Sequence, residues 1–173
     1  MRQTSTFRMA AMVPLLLVLF CDPARGAGEV KVVKVAPEDV PKLLKVFVAE
    51  FVAITPGKGK FPKSFQMGTN DGPKHEGPAR KVTLAHDFAM ARYEVPQDLY
   101  VAVMGSNPSK WTGPRNSVEM MTAAEAVKFC RQITTLLRDR KLIGDDEEIR
   151  LPTEAEWEYC CRAGSTTKYS FGD

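Results

Sequence analysis

Along the chain, apolar positions fall into short runs that change period several times, and polar or glycine- and proline-rich stretches separate them. "PEDVPKLLKVFVAEFVAI" offers Leu43, Phe47 and Phe51 at helical spacing, while its last part also alternates as a strand would. The pattern predicts a short helix from near Pro41 and a strand over 50–54. "PGKGKFPKS" reads as a loop into "FQMG", and a hairpin across it is the expectation. Val82 and Leu84, then Phe88 and Met90, mark further strand positions.

Three helices carry explicit start and stop chemistry. Pro96 suits the first turn of a helix over 97–104, Asp98 complements the dipole there, and Gly105 follows the end. Thr122 and Glu125 form a capping box opening a helix whose stripe is Ala126, Cys130, Ile133 and Leu137, with Phe129 and Leu136 beside it. Arg138, Arg140 and Lys141 suit its negative end, and "GDDEE" breaks it before an extended "IRLP". Thr153 and Glu156 form a second capping box, with Arg162 in the last turn and Gly164 available as a left-handed cap. On that helix Trp157 and Cys161 share a face, and Cys160 is turned about 100° away, which argues against a disulfide between neighbours.

The N-terminus has a different character. Arg2 and Arg8 lead into the apolar run 9–20, and "PARGAG" places Ala24 and Gly26 as in a signal-peptidase site. Residues 1–26 are therefore expected to be a signal peptide, with an uncleaved anchor as the alternative. The mature chain would start near Ala27, with 27–49 as a lead-in and 50–173 as one domain, and would be exported to a periplasmic, extracellular or secretory compartment. Phe20 occupies the place before Cys21 where a lipoprotein site needs a small residue.

Removing 1–26 lowers the net charge from +3 to +1. A nearly neutral chain gives no electrostatic basis for nucleic-acid binding, and no membrane insertion is expected after cleavage. Cys130, Cys160 and Cys161 remain, an odd count that leaves at least one thiol without an internal partner. His75 and His86 are the two histidines, and neither has a second ligand at metal-site spacing. Hydrolase elbows, Walker loops and dinucleotide fingerprints do not occur. Glu154, Glu156 and Glu158 read as helix-start and surface charges rather than catalytic carboxylates.

The order of the motifs says more than each alone. "FQMG", "HEGPARKVTL", "ARYEV", "GSNPSKWTG", "SVEMMTAAEAVKFC" and above all "RLPTEAEWEYCCRAG" together resemble the formylglycine-generating enzyme, or sulfatase-modifying factor, domain family from about Phe51 to Asp173. The resemblance implies a loop-rich α+β fold related to C-type lectins. It also implies an activity, the copper- and oxygen-dependent oxidation of a cysteine in exported sulfatases to formylglycine, with an exported sulfatase or other protein as partner. Two thiolates, soft ligands for Cu(I), would hold the metal.

In the family that cysteine pair and the calcium sites lie downstream of the "FGD" at 171–173. The resemblance therefore identifies 50–173 as the N-terminal part of the domain, apparently truncated, with no catalytic, cofactor-binding or metal-binding residue of its own. Copper and calcium would belong to the C-terminal half. Cys130 and Cys161 match positions that pair with that half in some members. Arg150, Thr153, Glu156, Trp157 and Arg162 are the signature, with structural roles expected: Thr153 and Glu156 as cap, Trp157 in the core, both arginines tying loops. Ala123, Ser117 and Pro96 depart from the family's usual tryptophan, proline and threonine, and the short 105–111 loop resembles its broad bacterial branch. Both features weigh against catalysis. Two alternatives stand beside the enzyme reading: a non-catalytic lectin-like module presenting the loop 105–113 to a protein or glycan, and an inactive truncated fragment.

Overall fold

The computed structural model describes residues 8–12 and 33–167. Within them lie strands β1 (Arg8–Met12), β2 (Phe51–Ile54), β3 (Ser64–Met67), β4 (Arg80–Thr83), β5 (Phe88–Glu94) and β6 (Glu148–Arg150). The helices are α1 (Val40–Ala49), α2 (Gln97–Met104), α3 (Ala123–Asp139) and α4 (Glu154–Arg162). The result is an α+β fold with one mixed four-stranded sheet, order β2-β5-β1-β6, and a separate antiparallel β3-β4 pair.

The expected hairpin between 50–54 and "FQMG" does not form. β2 instead pairs antiparallel with β5, Phe51 opposite Ala91 and Ile54 opposite Phe88, while β3 pairs with β4. Burial explains the choice, because β5 is buried at Phe88, Ala89, Met90 and Ala91 and needs neighbours on both of its edges. The loop 55–63 closes on itself through Gly57 N–H to Phe61 O, so the chain leaves the first sheet before β3 begins.

The three capped helices begin where their sequence signals place them, but α4 takes its left-handed cap at Ala163 (φ +48), one residue before the expected Gly164. α2 ends on Gly105 at φ +79, the left-handed cap that glycine supplies without steric cost. α3 turns Ala126, Phe129, Cys130, Ile133, Thr134 and Leu137 inward, against Leu44 and Phe47 of α1 and Leu99 and Tyr100 of α2. Thr134 is polar yet buried, and its hydroxyl bonds both to Cys130 O and to Ile149 N–H, which locks α3 to β6. Arg138 closes the helix end differently from the dipole argument, donating from Nε and Nη2 to Glu147 O.

The larger core cluster lies on the α1-α2-α3 side of the sheet, and a smaller one around Ala10, Ile54, Leu84, Phe88, Met90 and Tyr159 faces α4. β1 takes part in both, through Met9 and Ala10, and pairs in parallel with β5 and β6. It falls inside the segment expected to be a leader. The remainder of that leader, positions 27–32 of the lead-in and the terminal 168–173 lie outside the described residues.

Candidate functional site

α4 is built to hold neighbouring elements, and its sequence shows how. Thr153 Oγ1 accepts from Glu156 N–H, and Glu156 Oε2 accepts from Thr153 N–H at 2.8 Å, completing the predicted capping box. Glu156, fully buried, does more than cap. Arg150 grips it through two guanidinium nitrogens, Nη2 to Oε1 at 2.6 Å and Nη1 to Oε2 at 2.7 Å. His86, from the β4–β5 connection, donates from Nε2 to Oε1 at 3.0 Å. A carboxylate accepts all four bonds; a protonated acid could not. Burial alone would raise the Glu156 pKa, but the bonds from Arg150, Thr153 and His86, with the Arg150 charge, outweigh it and hold the group at about 2.

One turn on, Glu158 and Arg162 pair at 2.7 Å and clamp one glycine between them. Gly68 N–H donates to Glu158 Oε1 at 2.8 Å, and Arg162 Nη2 donates to Gly68 O at 3.2 Å. Gly68 sits at φ +76, and a Cβ there would come within 2.4 Å of Glu76 O, so the "FQMG" glycine is required by both conformation and space. Tyr159 adds a bond from its hydroxyl to Pro62 O at 2.9 Å.

Arg150, Thr153 and Glu156 thus meet at the start of α4, Arg162 joins Glu158 and Gly68 at its other end, and the expectation for Trp157 is corrected. Trp157 does not fill the core: it is 39% exposed, and Tyr159 is the buried aromatic. Arg150 draws Glu156 inward, Tyr159 follows three residues on, and this rotation turns Trp157 outward together with Cys161. His86, which has no second metal ligand at sequence spacing, finds its partner 70 residues away, beyond any local pattern.

A second organised region surrounds Gln97, the fully buried first residue of α2. Its Nε2 donates to Trp111 O and Ser117 O, and its Oε1 accepts from Asn107 Nδ2 and Gly113 N–H. All four hydrogen-bonding positions of the amide are used, each on the loop that follows α2. Glu119 Oε1 accepts from Lys110 N–H and Trp111 N–H, which fixes the tip. Trp111 is left 57% exposed, with Lys110 Nζ 5.1 Å from its ring centre. A shallow cavity of about 210 Å³ opens beside this loop, lined by Gly105, Ser106, Asn107 and Ser109 among others. No sequence signal marked Gln97.

Among the described residues, Cys130, Cys160 and Cys161 form no metal centre. Cys130 is buried in α3, and burial pushes its pKa up to about 11; Cys160, half-buried on α4, is pushed up to about 12; burial also raises Cys161. Groups that resist ionisation are poor sources of the thiolates a copper pair requires. Among the described residues no cluster of three or more His, Cys, Asp and Glu could hold a metal ion. The described cysteines do not fit a copper site. No helix among the described residues is long and apolar enough to cross a membrane.

Comparison with known proteins gives two matches. Residues 38–173 match the model of the sulfatase-modifying factor enzyme 1-like domain. A curated relative, "Chaperone protein LppX" of Paenibacillus barcinonensis, is 32% identical over 114 residues, covering 51% of this chain and 40% of the relative. The chain thus spans well under two thirds of that relative's length. No solved structure matches it.

Proposed function

Because the chain belongs to the sulfatase-modifying factor enzyme 1-like domain family, we propose that it is the N-terminal part of an exported domain of that kind, a scaffold of C-type-lectin-like type. In this reading the scaffold does not itself carry the oxidising chemistry. The family activity, oxidation of a cysteine in exported sulfatases to formylglycine, needs two accessible thiolates. The observation that carries the proposal is the state of the thiols: Cys130 buried in α3, Cys160 and Cys161 diverging on α4, all three held above the usual thiol range. Cys161, exposed, is the thiol open to a bond with a second polypeptide segment, whereas Cys130 would need a partner that enters the core.

The test is direct. The purified chain, supplied with Cu(I), oxygen and a peptide carrying a sulfatase target cysteine, is expected to form no peptide aldehyde by mass spectrometry. Aldehyde above a protein-free control that disappears on substitution of the three cysteines would contradict the proposal.

A binding role is the second reading, and the Gln97-anchored loop favours it. That loop holds an exposed tryptophan on a backbone fixed by a buried amide, the kind of rigid aromatic presentation that protein and glycan contacts use. A relative named as a chaperone is compatible with a role in contacting other proteins. Trp111→Ala should then abolish retention of a captured partner while leaving the unfolding midpoint unchanged.

A further inference from the structure

β5 and β6 do not pair with each other; each pairs with β1. At the usual spacing of neighbouring strands the two stand roughly 10 Å apart, the width of one inserted strand. Arg8 lies opposite both Phe88 and Glu148, Met9 opposite Ala89 and Ile149, and Ala10 opposite Met90 and Arg150. Without β1, the buried stretch Phe88–Ala91 of β5 and the backbone beside the buried Ile149 of β6 would present unpaired groups on their facing edges, at a higher cost than a surface edge.

The slot also selects side chains. Met9 is 5% exposed and packs in the larger cluster with Ala89, Ile133 and Ile149. Ala10 is fully buried on the opposite face, in the smaller cluster with Phe88, Met90 and Tyr159. A bulky apolar residue fits the first face, and a small one is required on the second, where three large side chains already fill the space.

We propose that the slot between β5 and β6 is a strand-acceptor site that takes, in parallel, an extended peptide bearing a bulky apolar residue followed by a small one. Arg8–Met12 is the chain's own occupant. Recognition is by main-chain ladders on both sides of the guest, with the two faces setting specificity. Where residues 1–26 are removed as a leader, a guest strand supplied in trans takes their place. The assignment concerns the sheet alone and does not depend on whether the thiols act.

The experiment uses the full chain, its Ala10→Asp variant and a synthetic peptide with the sequence of residues 7–13. A buried aspartate without a partner should expel the chain's own strand. The variant is expected to bind the peptide saturably and to gain thermal stability from it, while the wild-type chain, already occupied, binds none. The same peptide with aspartate at the Ala10 place should bind at least about tenfold more weakly. If the variant does not fold alone, refolding with the peptide should restore hydrogen-exchange protection to the slot-facing amides of β5 and β6. A variant as stable as wild type, equal peptide binding by both chains, or no rescue on refolding would overturn the proposal.

Discussion

Two helices of this protein begin with the same four-residue device and put it to different use. Thr122 and Glu125 open α3 at an exposed corner; each side chain satisfies the other residue's backbone N–H. Thr153 and Glu156 make the same two bonds at α4, yet Glu156 is fully buried and also receives Arg150 and His86. Both carboxylates have lowered pKa values. At Glu125 the hydrogen bonds from Thr122 lead; at Glu156 burial pushes upward and is outweighed by an arginine and three hydrogen-bond donors. The local motif dictates where each helix starts. What stands around the carboxylate decides whether the motif is a cap or a hub.

The largest expected effect is Glu156→Gln, which leaves Arg150 next to a neutral partner inside the fold. It should destabilise the protein by about 3 kcal/mol in denaturant unfolding. Arg150 already has a buried Nε without a partner, so it has little capacity to find another acceptor. Arg150→Met together with Glu156→Leu should recover much of the loss, because removing both charges also removes their desolvation cost.

Acid titration sharpens the same contrast. Glu156 has a folded-state pKa of about 2 against an ordinary value of 4.5, so its stabilisation is present in full above pH 4.5. Stability should fall as pH drops from about 4.5 through about 2, where the unfolded chain takes up the proton first. The Glu156→Gln protein should lack that part of the acid transition. Identical wild-type and variant slopes would place the pH dependence elsewhere.

Gln97 supplies a neutral hub for comparison. Gln97→Ala abandons four bonds on the loop after α2, and a cost of about 2 kcal/mol is expected with faster amide exchange at Trp111 and Gly113. An unchanged exchange rate would mean that Glu119 alone holds the loop. The smallest effects belong to the caps: Thr153→Ala and Thr122→Ala should each cost about 1 kcal/mol, since both remove the bond that the threonine oxygen accepts from the glutamate's backbone N–H. A much larger loss at Thr153 would show that its hydroxyl also positions Glu156 for Arg150.

The sequence disclosed those parts of the fold that depend on neighbours a few residues away. Caps, dipole charges and the glycine after α2 located the helices, and the capping-box spacing placed Thr153 against Glu156. Pairings across long separations were not legible. β2 has the same strand character whether it meets β3 or β5, and only the buried state of β5 settles it. Gln97 reads as an ordinary helix-start glutamine, because its partners span 107–117. Trp157 has the size of a core residue, but the face of α4 is chosen by a carboxylate that must reach Arg150. Arg8–Met12 shows the composition of a leader, and nothing in that composition announces that it also fits between β5 and β6.

The central claim is that one capping pattern serves as a surface cap in α3 and as a buried hub in α4. Urea unfolding of Glu125→Gln and Glu156→Gln, side by side at neutral pH, tests it most directly. The midpoint should barely move for Glu125→Gln and should fall steeply for Glu156→Gln. Equal shifts would contradict the account and reduce both glutamates to caps.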